Sequence, residues 1–561
     1  MNRYDVAIVG SGAGGGAVAY SLAKAGYNVV LIEKGNLLNR DNFSKDEIAY
    51  CRRDIVTPKL EDEYHVIEMK EGSKWVSTPS YKTDVSFWNG NIVGGSSNFM
   101  TGMFHRLHPD DFRLLQKYGP IEGANIVDWP IEYEDLAPYY DLVEEIVGIS
   151  GSYRPHPFNP PRKNKEYRQN ATKENEVVKL FDNSCQHLNI VPLVTPRAVL
   201  SEDKLHRKAC SYSNFCGHYG CSTGAKGSAR EAFIIPALAT GNLTLRANTH
   251  VKKLLSTKEK VSTAVVINTI SGKESYIEAD IFVVTAQAHE SVRLLLNSAN
   301  SYYPKGLANT SLNVGKNILF SGGGVGSGEL YAERLKEMTF SSLMQEGLFI
   351  NRSILDWYFM KEGEKGQYKG GLVEFMFEHQ NIIASASVCC EEEGKLVWGR
   401  TYAESLVKKF KTQKTIRFEV FNDWLPTDDC FIGIDTKHVD KYTMPVGKIR
   451  VSGHPQDIKV GNILAKKCEN ILFEMGAKNI HSSVNSLPAS NLIAGGCRFG
   501  DDPKTSVLNK YCQAHDLSNL YVADASFMPT GGSVPYTWTI YANALRVADH
   551  IIESLQGLQN T

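Results

Sequence analysis

Along the first 35 residues the apolar positions change their pattern twice. Tyr4-Asp5-Val6-Ala7-Ile8-Val9 is a short apolar run of the kind that forms a buried strand. It passes directly into Gly10-x-Gly12-x-x-Gly15. A helix follows, and then a second apolar run, Val29-Val30-Leu31-Ile32, which closes on Glu33. Gly10 permits a tight turn, Gly12 lets a pyrophosphate approach the backbone, and Gly15 allows close helix–strand packing. The helix N-terminus offers free N–H groups and a positive dipole end to phosphates. Glu33 stands 18 positions after Gly15, near the spacing of a ribose-binding acid. Strand, turn, helix, strand and acid in register predict a bound dinucleotide.

The rest of the chain reads as pieces of the same nucleotide-binding unit interleaved with something else. Residues 36–84 are polar and read as an irregular insertion. Residues 110–150 read as helical, with an amphipathic run from Asp135 to Val147, and 151–172 as a Pro- and Asn-rich surface loop. Alternating β patterns return at Leu243–Leu255 and Tyr276–Thr285, followed by a helix from Glu290 to Leu296. Residues 310–480 mix strand-like stretches such as Thr415–Phe421 with one helix near 461–475. The apolar strand Asn519–Asp524 and a long apolar helix, Thr537–Leu555, close the pattern. The prediction is a discontinuous α/β nucleotide domain and a second lobe of α+β texture.

Composition narrows the class. A chain of 561 residues with 42% hydrophobic and 22% charged residues has the make-up of an ordinary globular enzyme. A net charge of −1 argues against nucleic acid as the main partner. No apolar run approaches the roughly 18 residues that span a membrane. A strand starting at residue 4 leaves no room for a signal peptide, which predicts a cytoplasmic protein. Eleven cysteines are too few for a disulfide scaffold.

Four segments in one order make the chain resemble the glucose–methanol–choline (GMC) oxidoreductases, nearest the gluconate, fructose and FAD-dependent glucose dehydrogenase and pyranose oxidase branch. They are the fingerprint ending at Glu33, the loop Val93-Gly94-Gly95-Ser96-Ser97-Asn98, the segment Glu290–Leu296, and Gly495-Gly496-Cys497-Arg498-Phe499-Gly500 continuing through Asp524-Ala525-Ser526 to Pro529-Thr530-Gly531-Gly532. The resemblance implies a Rossmann-like FAD-binding domain from residues 1–120, 200–300 and 485–561, and a substrate-binding lobe from 121–199 and 301–484. It implies FAD rather than NAD. Glu33 would take the adenosine ribose. Gly94, Gly95, Ser96 and Asn98 would line the pyrophosphate and flavin edge. Val251 would meet adenine, Asp524 and Ala525 the ribityl–pyrophosphate region, and Thr537 the pyrimidine end of the flavin. Phe99 stands near the histidine that anchors the flavin in pyranose oxidase, which implies a non-covalent flavin.

The catalytic positions depart from the family pattern. Where Gly-Gly-Val-Asn-Pro-Thr is usual, this chain has Gly532-Ser533-Val534-Pro535-Tyr536-Thr537, so Pro535 replaces the catalytic Asn or His. Where a histidine precedes Gly495-Gly496, this chain has Leu492, or Asn491 if Ala494 is an insertion. Proline carries no donor, and neither of the others is a base near pH 7. Two readings follow. In one, alcohol oxidation on a sugar, amino sugar or polyol is retained with a relocated base, Tyr536 or His481, and Asn491 positions the substrate. In the other, a flavin-binding protein of this fold has altered or lost that chemistry and does another flavin reaction or serves as a scaffold or partner subunit. His515 matches a loop away from the chemistry. Trp424 and Trp538 could stack on a sugar ring, against a default of core packing.

Cys210, Cys216 and Cys221 are clustered. Relatives in the resembling branch carry cysteines here, some with an iron–sulfur centre that serves a cytochrome partner. Thiolates suit iron–sulfur or zinc, with His218 as a fourth zinc ligand. Buried structural cysteines are the third alternative.

Overall fold

The computed structural model describes residues 3–48, 61–83, 87, 90–213, 215–335, 349–361, 367–377, 382–392, 394–484 and 492–559. Its organising element is a sheet of parallel strands in the order Leu243–Arg246, Val29–Ile32, Tyr4–Val9, Glu274–Val284 and Leu520–Val522. Residues 6–9, Val29–Ile32 and Leu520–Val522 are buried because both faces are covered, as parallel sheets require. Glu274–Val284 extends past the parallel part and pairs antiparallel with Val261–Asn268, which pairs in turn with Thr249–Ser256.

Register fixes where the site lies. Val9 is level with Ile32 and with Val284, and Val284 with Val522. The residues that follow, Gly10, Glu33, Thr285 and then Asp524, therefore emerge along one edge, the carboxyl end of the sheet, where ligands bind in open α/β folds. The helix Ala13–Lys24 leaves this edge with a face of glycine and alanine. It packs on the C-terminal helix Thr537–Gln559, which also carries the helix Tyr133–Val147.

A second, antiparallel sheet faces that edge. Its order is Lys478–Val484, Gly324–Tyr331, Gln413–Asn422, Gly371–Phe377, Arg352–Ile354 and Pro192–Val194. One face is a core: Ile416, Phe418, Val420, Val373 and Phe375 pack with Leu464, Cys468 and Ile471 of the helix Pro455–Glu474. The other face carries Arg417, Glu419, Phe421, Glu374 and Met376 and looks toward the first sheet. The alternation of Thr415–Phe421 produces both faces at once.

The span 36–84 is less irregular than its composition predicts. Val66–Glu71 and Lys74–Pro79 form a hairpin, and its first strand pairs in parallel with Pro445–Arg450. A lone hairpin is marginal in water, and this one is completed by a partner far along the chain, which local sequence cannot reveal.

Candidate active site

Between the two sheets lies a cavity of about 590 Å³. Gly10, Gly12, Glu33, Gly95, Ser96, Val251, Asp524, Ala525 and Thr537 line it, from segments scattered through the chain. Gly12 is the N-cap of the first helix. It has no side-chain cap, and no acid occupies the first turn, so the positive end of that helix opens into the cavity. A Cβ on Gly12 would meet nothing within 4 Å, whereas one on Gly15 would lie 1.9 Å from the Gly10 carbonyl oxygen. Gly12 leaves room for a ligand, and Gly15 leaves room for the strand. An open, uncapped helix start beside a long cavity with an acid at its second strand is the set of features that FAD requires, and these residues fit it.

The polar groups of the wall are held by their own surroundings. Glu33 accepts from the Ser11 hydroxyl at 2.6 Å and from the Gly35 N–H at 2.8 Å. Asp524 accepts from the Ser291 and Ser526 hydroxyls, and burial raises its carboxyl pKa. Gly15, Gly94 and Asn98 do not line the cavity. Gly15 sits in the strand–helix joint. The Gly94 N–H donates to Ser11 at 2.9 Å. The Asn98 amide is spent on the carbonyls of Val93 and Gly95, at 3.1 and 2.9 Å, so it shapes the glycine loop from behind.

The catalytic candidates separate. Pro535, Tyr536 and Leu492 line the cavity. Tyr536 is 2% exposed, and its hydroxyl has no hydrogen-bond partner among the described residues. Burial drives its phenol pKa far upward, so it suits a donor better than a base. His481 does not line the cavity: it is exposed on the outermost strand of the second sheet, 3.2 Å from the Ser327 hydroxyl. Its strand alternation gives it the right face but the wrong end of the row. Asn491 lies outside the described residues. His515 bonds Ser506 at 2.9 Å, away from the cavity. Trp424 and Trp538 are buried core residues that do not line it.

Sequence reading missed Arg417 and Glu419. Both line the cavity from the second sheet. In sequence, Thr415-Ile416-Arg417-Phe418-Glu419-Val420-Phe421 reads as a strand with one solvated face. Only the sheet pairing shows that the charged face is turned inward.

Cys210, Cys216 and Cys221 line a separate pocket of about 40 Å³ together with Lys226. The loop that links the last two, through Gly217 and His218, also lines the large cavity. Lys226 is buried and donates both to the Tyr219 carbonyl of that loop, at 2.9 Å, and to the Asn98 carbonyl of the glycine loop, at 3.1 Å. Burial pushes the Cys210 thiol up to about 11. At Cys221 burial is outweighed by Lys226 and Thr223, which hold its pKa below that of an ordinary thiol. The three thiols and His218 do not converge as ligands of a single ion. Among the described residues only His65, His289 and Glu290 bring ligand atoms within 4.8 Å of one another. There Glu290 pairs with Arg293 at 3.2 Å and meets the His65 imidazole at 2.8 Å, a polar network beside the cavity. Among the described residues no helix is long and apolar enough to cross a membrane.

Comparison with known proteins gives two matching family models, both of GMC oxidoreductases, over residues 12–320 and 426–544. The chain is 27% identical to the 6'''-hydroxyparomomycin C oxidase of Streptomyces lividus, over 98% of this chain and 92% of that protein. It is 28% identical to the 2-methyl-1,2-propanediol dehydrogenase of Mycolicibacterium austroafricanum, over 98% of this chain and 95% of the other. Among solved structures, pyridoxine 4-oxidase from Mesorbium loti superposes with a TM-score of 0.62 at 15% identity, covering 98% of this chain and 99% of that one.

Proposed function

The chain belongs to the GMC oxidoreductase family and is an FAD-dependent oxidoreductase of CH–OH donors, and on that premise we propose that it oxidises a small polar alcohol on a non-covalently held flavin. The substrate class is a sugar, amino sugar or polyol. The observation that carries this reading is the shared cavity: the same 590 Å³ space is lined by the glycine fingerprint, by Tyr536 and Thr537 at the start of the C-terminal helix, and by Arg417 and Glu419 of the second sheet.

FAD, when bound, supplies the acceptor for the hydride that leaves the carbinol carbon. The chain's residues do the rest. Gly12, Gly95 and Ser96 cradle the pyrophosphate. Glu33 receives the ribose and Thr537 the pyrimidine edge. Phe99 stands at the cavity without a nucleophile to bond the ring. Tyr536 donates its otherwise unpaired hydrogen bond toward the substrate oxygen. The nucleotide-binding unit comprises 1–120, 200–300 and 485–561, and the substrate lobe comprises 121–199 and 301–484.

The cysteine loop supports an acceptor path. Cys210, Cys216 and Cys221 line one small pocket with Lys226, and their loop touches the flavin cavity, the placement that an iron–sulfur group passing electrons onward would need. Such a group would hand electrons to a protein acceptor.

The purified protein should be yellow, release its flavin on denaturation, and bleach anaerobically with at least one of glucose, glucosamine, gluconate and glycerol. A colourless protein, or a flavin that none of them reduces, overturns the reading. Iron and sulfide analysis tests the cysteine assignment separately, and their absence from freshly purified holoenzyme refutes it.

A further inference from the structure

We propose that Glu419 is the group that accepts the hydroxyl proton of the substrate, an inference that rests on the CH–OH oxidation proposed above. Alcohol oxidation needs a base, and Pro535 and Leu492 cannot supply one.

The strand Gln413–Asn422 sends Ile416, Phe418 and Val420 into the core and Arg417, Glu419 and Phe421 to the cavity. Glu374 stands directly opposite Glu419 on the neighbouring strand, so both carboxylates lie on one face. They are not equivalent. Glu374 is fully buried and satisfied by the His105 imidazole and by the Thr195 hydroxyl at 2.7 Å. Glu419 is partly buried and opens on the cavity, and it makes no hydrogen bond or ion pair among the described residues. The other cavity carboxylates are committed: Glu33 to Ser11 and Gly35, Asp524 to Ser291 and Ser526, Glu290 to His65 and Arg293.

The charged groups that act on Glu419 are Arg417 on its own strand and Glu374 across the sheet, with His105 behind it, while Tyr536 lines the same cavity. Burial raises its carboxyl pKa, Arg417 opposes that, and Glu374 adds to it. A carboxyl so placed is a stronger proton acceptor than an exposed one. In the step, the O–H bond breaks toward a Glu419 oxygen, the C–H pair leaves as hydride to the flavin, and the carbonyl forms. The alcohol is oxidised, the flavin is reduced, and the proton rests on Glu419.

Stopped-flow flavin reduction tests this in holoenzyme, with whichever of the four panel alcohols reduces the wild type fastest. Glu419→Gln should keep its FAD, its melting temperature and its substrate affinity, read from the shift of the flavin spectrum on mixing. Its reduction rate should fall on the order of 10²–10⁴-fold. The wild-type rate should rise with pH through one ionisation above the ordinary carboxylate range, and that limb should vanish in E419Q and partly return in E419D. A merely structural residue would lower the rate without removing the limb. Two results overturn the proposal: E419Q retains the rate and the limb, or His218→Asn, on the cysteine loop, loses the limb in its place. If no panel alcohol bleaches the wild type, the oxidation reading fails and this one with it. If the wild type bleaches and E419Q matches it, only this one fails.

Discussion

At the scale of single residues, the site separates atoms that shape the chain from atoms reserved for a ligand. Gly12 and Gly15 stand three positions apart and should respond oppositely. Gly12→Ala places a methyl in open space, so the apo chain should melt as wild type does while FAD affinity falls. Gly15→Ala drives a methyl into the Gly10 carbonyl and should cost about 1–3 kcal/mol of stability with or without FAD. Differential scanning fluorimetry with and without FAD separates the two, and equal behaviour refutes the assignment. Tyr536→Phe should also divide by sign. Deleting an unpaired buried hydroxyl should leave apo stability equal or higher, because such a group costs about 1–3 kcal/mol. Flavin reduction should slow by about tenfold, the worth of one neutral hydrogen bond. A variant that is less stable and equally fast would show that the hydroxyl serves the fold.

At the scale of elements, the loop Gly531–Pro535 is set by a buried ionic cluster below it. Asp111 pairs with Lys369, accepts from the Tyr358 hydroxyl at 2.6 Å, and accepts from the His108 N–H at 2.7 Å. Gly532 packs against Leu107 just before Asp111 in the chain, and the Leu372 N–H donates to the Ser533 carbonyl at 3.3 Å. Asp111→Ala leaves the Lys369 charge buried and unpaired and should cost about 3–5 kcal/mol. Denaturant unfolding measures it, and a loss below about 1 kcal/mol, typical of a surface pair, refutes the picture. Sequence patterning is a good guide at this scale wherever an element satisfies itself. The fingerprint strand, the helix Pro455–Glu474 and the C-terminal helix are all visible as runs of one period. The hairpin Val66–Pro79 and the inward face of Gln413–Asn422 are not. Their meaning depends on strands hundreds of residues away, and a charge on an alternating strand looks the same whether it faces water or a flavin.

At the scale of the whole molecule, three histidines, His289 buried and His108 and His250 half-buried, tie stability to pH. Burial lowers His108 and His250 to about 4 and His289 to about 3, while each titrates near 6.5 when unfolded. Between pH 6.5 and 4 the unfolded chain binds protons that the folded chain refuses, so stability falls as pH falls. Near pH 5 the three histidines together take up about three protons on unfolding, and Asp423, which burial raises to about 6, releases one against them. Replacing the three histidines by glutamine should therefore remove the histidine share of the decline in melting temperature between pH 7 and pH 5, and a profile unchanged by the replacement overturns the assignment. The other whole-molecule feature is the scatter of the cavity wall along the chain. Pro535, Tyr536, Thr537 and Ile540 stand more than 500 positions after Gly10, and the strand Leu520–Val522 completes the sheet just before them. Domains ordinarily fold in the order in which they leave the ribosome. Here the first strand and its glycine turn emerge early and wait, without a complete pocket, until almost the entire chain has been translated. Cofactor uptake is thereby a late event in biosynthesis, and a nascent chain arrested before Leu520 should hold no flavin.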